Sequence, residues 1–244
     1  MTDFVVKRQY ILSEIATACE KNARKVDAVQ LLAVSKTHPA TVLRDMYAAG
    51  QRSFGENYLQ EALTKQEELQ DLDIEWHFIG HVQRNKTKPL AMHFDWVHGV
   101  DRLIIAERLS SQRPENLADL NICIQVNIDG QESKDGCAPS DVPELVRQMS
   151  MLPHIKLRGL MVIPKAGNSV AFKDAKNLFN DVKKSHAKPE HWDTLSMGMS
   201  GDLKEAIAAG STMVRVGTAL FGARQFLHRV IPPLQFYSPQ NPVE

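Results

Sequence analysis

The chain has 244 residues, 43% of them hydrophobic and 24% charged, and its 29 Lys and Arg balance 29 Asp and Glu. Such a mix builds a globular core and excludes disordered, collagenous and coiled-coil chains. Zero net charge leaves no global field for nucleic acid or an anionic membrane, so an anionic ligand has to be held by local geometry.

Residues 1–25 read as a leading amphipathic helix and not as a signal peptide, because Val5, Tyr10, Ile11, Ile15 and Ala18 recur at roughly helical spacing among charges. Beyond it, short β-type runs alternate with helical stretches. VQLLAVS (29–35) is followed by TVLRDMYAAG, RSFG (52–55) by NYLQEALTKQEELQ, EWHFIG (75–80) by RNKTKPLAMH, and FDWVHGV (94–100) by DRLIIAERLSSQ. ICIQVNI (122–128) precedes SDVPELVRQMSML, LRGLMVI (157–163) precedes SVAFKDAKNLFNDVKK, DTLSMG (193–198) precedes DLKEAIAAG, and TMVRVG (212–217) is the eighth run. Parallel strands need long crossovers, which right-handed βαβ units supply, and eight such units close a (β/α)8 barrel of about 250 residues. The pattern predicts an α/β fold with one domain over 1–244, a single TIM barrel with an extra N-terminal helix; periodicity leaves a doubly wound open sheet as the alternative. The tail, residues 230–244, reads as loose.

Cys19, Cys123 and Cys137 are odd in number and form no CxxC pair, which fits reduced thiols and supports neither a disulfide framework nor a cysteine zinc site. No apolar run approaches the roughly 18 residues of a membrane helix. The expectation is a soluble, cytoplasmic protein without nucleic-acid or membrane partners.

Ligands of a barrel gather where strands end and βα loops begin. Lys36 directly follows the run LLAVS, where partial burial would lower its amine pKa and make it a nucleophile for carbonyls; the plain alternative is a rim lysine with its ammonium in water. The last two loops fit a phosphate site, which barrels often build after strands seven and eight. In SMGMSGDLKEAI, Gly198 and Gly201 allow close backbone approach, Ser200 offers a hydroxyl, and Asp202 or Ser200 can cap the following helix. In RVGTALFGAR, Gly217 and Thr218 repeat the device beside Arg215. A lysine amine across one mouth from a phosphate pocket suits a phosphorylated carbonyl compound, either pyridoxal phosphate or a phosphosugar.

The stretches LLAVSKTHP, FGENYLQEA, EWHFIGHVQRNK, VNIDGQESKDG, LRGLMVIP and LSMGMSGDLKEAIAAGSTMVRVGTALFGAR, spread from Leu31 to Arg224, resemble the YggS/PROSC family of pyridoxal phosphate homeostasis proteins. That family looks like the isolated barrel of alanine racemase, the third fold type among pyridoxal phosphate proteins. The resemblance implies that Lys36 is the lysine that forms the internal aldimine, that Ser200, Gly217 and Thr218 hold the cofactor phosphate, and that Arg215 faces the pyridine nitrogen. It implies that Asn57, in GEN, lines the pocket, with Met161 and Ser196 as further wall residues; plain strand packing is the alternative for those two. A guanidinium only donates, so it would leave the ring nitrogen unprotonated and weaken the cofactor as an electron sink. Racemisation also needs a second acid/base, in racemases a tyrosine of the second domain. The expectation here is that too few residues follow Arg224 to hold that domain, and Tyr10, Tyr47, Tyr58 and Tyr237 lie outside any such motif.

The implied function is therefore a carrier or buffer of pyridoxal 5'-phosphate in vitamin B6 homeostasis, with no catalytic residue. Apo-enzymes that depend on the cofactor are its implied partners, and it is expected to be a monomer; an amino-acid racemase of the same barrel is the alternative, and an aldolase a weaker one. His77 and His81 are four apart but on a strand, so helical facing does not apply and no metal site is expected. His93 and His98 read as core or rim residues, Arg84, Lys86 and Lys88 as a solvated helix face, and DGQESKDG, with Gly130 and Gly136, as a flexible loop over the mouth.

Overall fold

The computed structural model describes residues 3–132 and 134–222; Arg224, Tyr237 and the tail at 230–244 lie outside the described residues. Eight parallel strands close into a barrel in sequence order: β1 (Gln30–Val34), β2 (Ser53–Glu56), β3 (Glu75–Phe78), β4 (Trp96–Val100), β5 (Leu120–Val126), β6 (Ile155–Val162), β7 (Thr194–Ser196) and β8 (Met213–Val216). Closure is made by β8 pairing with β1, with Leu31 opposite Val214 and Ala33 opposite Val216. The open-sheet alternative is thereby excluded.

Helix α1 (Phe4–Lys21) precedes the barrel, and α2 (Ala40–Ala48), α3 (Leu59–Glu68), α4 (Thr87–His93), α5 (Leu103–Gln112), α6 (Val142–Met149), α7 (Val170–Val182) and α8 (Leu203–Ala209) form the crossovers. A short α9 (Thr218–Phe221) follows β8; its single turn is too brief to leave a period in the sequence. Asp3 starts α1 by accepting the Val6 N–H at 3.0 Å, and Ile11, Ile15, Ala18 and Cys19 give the helix its buried stripe.

Successive residues of each strand face opposite ways, and both ways are buried. Leu31, Ala33, Phe54, Val97, Ile122 and Val214 pack under the helices, whereas Leu32, Val34, Ile79, Trp96, Cys123, Met161 and Met213 fill the interior. This is why the strands read as continuous apolar runs. Gly159 marks a shift of register between β5 and β6, and a Cβ there would run into the Thr194 carbonyl. Cys19, Cys123 and Cys137 are buried free thiols. Among the described residues, no helix is long and apolar enough to cross a membrane.

Candidate functional site

A cavity of about 290 Å³ opens at the C-terminal ends of the strands. Six of the residues singled out in the sequence line it together: Lys36, Asn57, Ser200, Arg215, Gly217 and Thr218. Val34, Ile79 and Ile163 supply its apolar wall. Met161 and Ser196 are not lining residues. Met161 lies fully buried among the interior apolar side chains, and Ile163, two residues further along the same face, takes the wall position. Ser196 is also fully buried, hydrogen-bonded to Arg215.

Lys36 sits on a tight turn clamped on both flanks. Before it, the Ser35 hydroxyl donates to Glu56 Oε1 at 2.7 Å and the Ser35 carbonyl accepts from Lys65 Nζ at 2.9 Å. After it, Thr37 takes a left-handed φ of 68° while its N–H donates to Glu61 Oε1 at 2.6 Å. A β-branched residue in that region carries strain of order 1–3 kcal/mol, so the surrounding bonds have to impose it. Lys65 joins the two flanks, pairing with Glu56 at 2.7 Å and Glu61 at 2.6 Å. Burial pushes the Glu56 carboxyl up, while Lys65 pulls it back. Sequence reasoning missed this cluster, because a lysine inside α3 looks like any solvent-facing helix lysine.

The opposite wall is built from the last two loops. Gly198 has φ of 100°, and a Cβ there would lie 2.7 Å from Ala206 Cβ, so only glycine fits this turn. Its carbonyl accepts the Arg215 N–H at 2.9 Å, which ties the β7 loop to β8. Of the two candidate caps of α8, Asp202 and Ser200, Asp202 holds the N-cap position, but its Oδ1 accepts the Met199 N–H at 2.7 Å and no side chain makes a cap bond to the helix. The carboxylate thus closes the loop on itself and leaves Ser200 and Gly201 exposed at the cavity. A Cβ on Gly201 would meet nothing within 4 Å. Thr218 opens α9, where the first backbone N–H groups have no intrahelical acceptor.

Arg215 forms the floor at only 4% exposure. Its Nη1 donates to Ser196 Oγ at 2.8 Å and its Nη2 to the Val162 carbonyl at 3.1 Å. Burial pulls the guanidinium down to about 10, so it stays charged at neutral pH. His98, read from sequence as core or rim, is fully buried with Nδ1 3.1 Å from Ser196 Oγ, whereas His93 is exposed. Within the loop DGQESKDG, Asp129 Oδ2 accepts the Lys165 N–H at 2.7 Å, and Asp135 pairs with His81 at 3.2 Å.

The cavity gathers an amine, a charged guanidinium and two hydroxyls on glycine-bearing loops. Asn57 Oδ1 adds a buried acceptor with no hydrogen-bond partner among the described residues. Its volume is near the lower end of the roughly 300–1,000 Å³ typical of small-ligand sites. An anion with an aldehyde fits this donor set.

Residues 12–225 match the family described as alanine racemase, N-terminal domain. The pyridoxal phosphate homeostasis protein of Pseudomonas aeruginosa is 53% identical over 221 residues, covering 88% of this chain and 94% of that one. The solved structure of PipY from Synechococcus elongatus with PLP bound is 40% identical, with a TM-score of 0.74, over 86% of this chain and 100% of that one. Alanine racemase from Corynebacterium glutamicum, at 17% identity and a TM-score of 0.62, shares the fold over 89% of this chain and 62% of its own. The closed barrel and these matches agree: the chain belongs to the pyridoxal phosphate homeostasis protein family, on the barrel of the alanine racemase N-terminal domain.

Proposed function

We propose that this chain binds pyridoxal 5'-phosphate in the cavity at the barrel mouth, holds it covalently through Lys36, and serves as a carrier or buffer of the cofactor without turnover of its own. The observation that carries this reading is the convergence of Lys36, Arg215, Ser200, Gly217 and Thr218 on one cavity. Pyridoxal phosphate supplies an aldehyde that bonds reversibly to an amine and a conjugated ring that withdraws electrons. Lys36 provides the amine. Ser200, Thr218 and the backbone at Gly217 provide hydroxyl and N–H donors for a dianion, and the open space at Gly201 lets it approach closely. Arg215 is the partner of the ring nitrogen; a group with donors only keeps that nitrogen unprotonated and mutes electron withdrawal. The relative that is 53% identical is named a pyridoxal phosphate homeostasis protein, whereas alanine racemase at 17% identity shares the fold alone, which favours the carrier over a racemase. The protein works in the cytoplasm as a monomeric barrel and passes the cofactor to apo-enzymes.

Titration of the purified chain with pyridoxal phosphate tests this. A visible absorbance band is expected in the wild type and none in Lys36→Ala; a chain that stays colourless with added cofactor overturns the reading. Incubation of the loaded protein with alanine in deuterated water should give no exchange at Cα, and exchange would favour the racemase.

A further inference from the structure

A chain of hydrogen bonds runs from the pocket floor through the barrel interior to its opposite end. Beyond Ser196 and His98, His98 Nε2 lies 2.9 Å from His77 Nδ1, and His77 Nε2 lies 2.7 Å from Glu75 Oε1. The side chains of Ser196, His98 and His77 are fully buried. Glu75, the first residue of β3, is 43% exposed and borders a separate cavity of about 370 Å³ at the N-terminal ends of the strands. There it also accepts from Ser53 Oγ at 3.0 Å and from Gln30 Nε2 at 3.2 Å. Barrel interiors are filled mainly by bulky apolar layers, and a buried polar network is costly unless each member is satisfied.

The two ends fix the direction of the whole chain. A carboxylate only accepts, so His77 Nε2 carries the hydrogen toward Glu75 and leaves Nδ1 bare. His98 therefore donates from Nε2 to His77, and its own bare Nδ1 takes the Ser196 hydroxyl hydrogen. That leaves the Ser196 lone pairs for Arg215, which can only donate. The order Arg215, Ser196, His98, His77, Glu75 thus works with both imidazoles neutral and every contact satisfied. Burial holds both histidines below their ordinary range, in agreement with that order.

We propose that Glu75 is a remote positioning residue for the cofactor site: through His77, His98 and Ser196 it sets which atoms face Arg215, and so how firmly the guanidinium is aimed into the cavity. This rests on the assignment of Arg215 to the cofactor ring made above, but its first test needs no cofactor. Long-range proton–nitrogen spectra of the full-length apo-protein should show His77 and His98 as neutral tautomers protonated at Nε2. Glu75→Leu should convert one or both to mixed tautomers, and Glu75→Gln, whose amide oxygen still accepts, should restore the wild-type pattern. In the loaded protein, Glu75→Leu should weaken cofactor binding about threefold to tenfold, the scale of one displaced hydrogen bond, and shift the visible band. Ser196→Ala, which cuts the chain at its other end, should weaken binding similarly while His77 keeps its tautomer. Unchanged tautomers in Glu75→Leu would overturn the proposal, as would changed tautomers with wild-type affinity and band. If Arg215→Leu binds as tightly as wild type, the assignment of Arg215 fails instead, and the tautomers still decide whether Glu75 orders the chain.

Discussion

The two cations that border the cavity are held in opposite ways. Lys36 is fixed from outside the barrel wall, where its turn is clamped by an ion cluster between β2 and α3, with Lys65 paired to both Glu56 and Glu61. Arg215 is fixed from inside, by hydrogen bonds to uncharged acceptors, Ser196 Oγ and the Val162 carbonyl, the first of which continues to His98 in the barrel interior. An amine that bonds to an aldehyde has to give up its proton, and the clamp on Lys36 acts on the backbone of its turn, through Ser35 and Thr37. A guanidinium that must stay charged and aimed needs its N–H groups spoken for, and a second charge beside it would be costly to bury.

The largest effect is expected on the Lys36 side. Lys65→Met leaves Glu56 buried without its partner and should cost about 3–5 kcal/mol of stability, read by denaturant unfolding; a wild-type midpoint would show that the cluster holds nothing. On the other side, Arg215→Leu should weaken cofactor binding about tenfold to a hundredfold, as the loss of charge-assisted hydrogen bonds implies, while attachment at Lys36 persists. Absorbance titration separates the two.

The barrel was legible because strands buried on both faces leave apolar runs, and eight such runs alternate with helical ones. Of the six cavity residues, Lys36 follows the end of β1, Asn57, Ser200, Gly217 and Thr218 follow strand ends beside glycines, and Arg215 stands within β8 two residues before Gly217, which made them legible. What supports them was not. Lys65 and Glu61 act through partners 4 to 30 residues away, His77 acts through His98 on the next strand, and Glu75 acts through His77 two residues on; nothing in the neighbourhoods of Lys65, Glu61 and Glu75 marks them. His77 and His98 carried a weak signal, since each occupies the inward register of its strand, in line with Ile79 and Trp96, where an apolar residue is the rule. Met161 and Ser196 show the limit of that signal, because the face of a strand was readable but not the depth along it.

A smaller, pH-dependent effect distinguishes the neutral interior from the charged exterior. With the folded histidines held below their ordinary range by burial, the unfolded chain binds more protons below about pH 6.5. Stability should fall with falling pH by up to about 1.4 kcal/mol per unit for each histidine. Glu75, held at about 2 mainly by its bond to His77, should add a further loss as pH drops from its ordinary 4.5 toward 2. His98→Gln should flatten the first part of that curve, and an unchanged slope would argue against neutral imidazoles. Glu61→Ala removes the acceptor of the Thr37 N–H and should cost about 1–2 kcal/mol, with looser Lys36 placement seen as faster cofactor release. The smallest effect is at Cys123, inside the barrel, where burial pushes the thiol up to about 12; native protein should resist thiol reagents there and react only on unfolding.

The central claim is that Lys36 holds the cofactor. Borohydride reduction of the protein with bound pyridoxal phosphate, followed by peptide mass spectrometry, should place the phosphopyridoxyl group on the peptide that contains Lys36. A label on another lysine, or none, would contradict it.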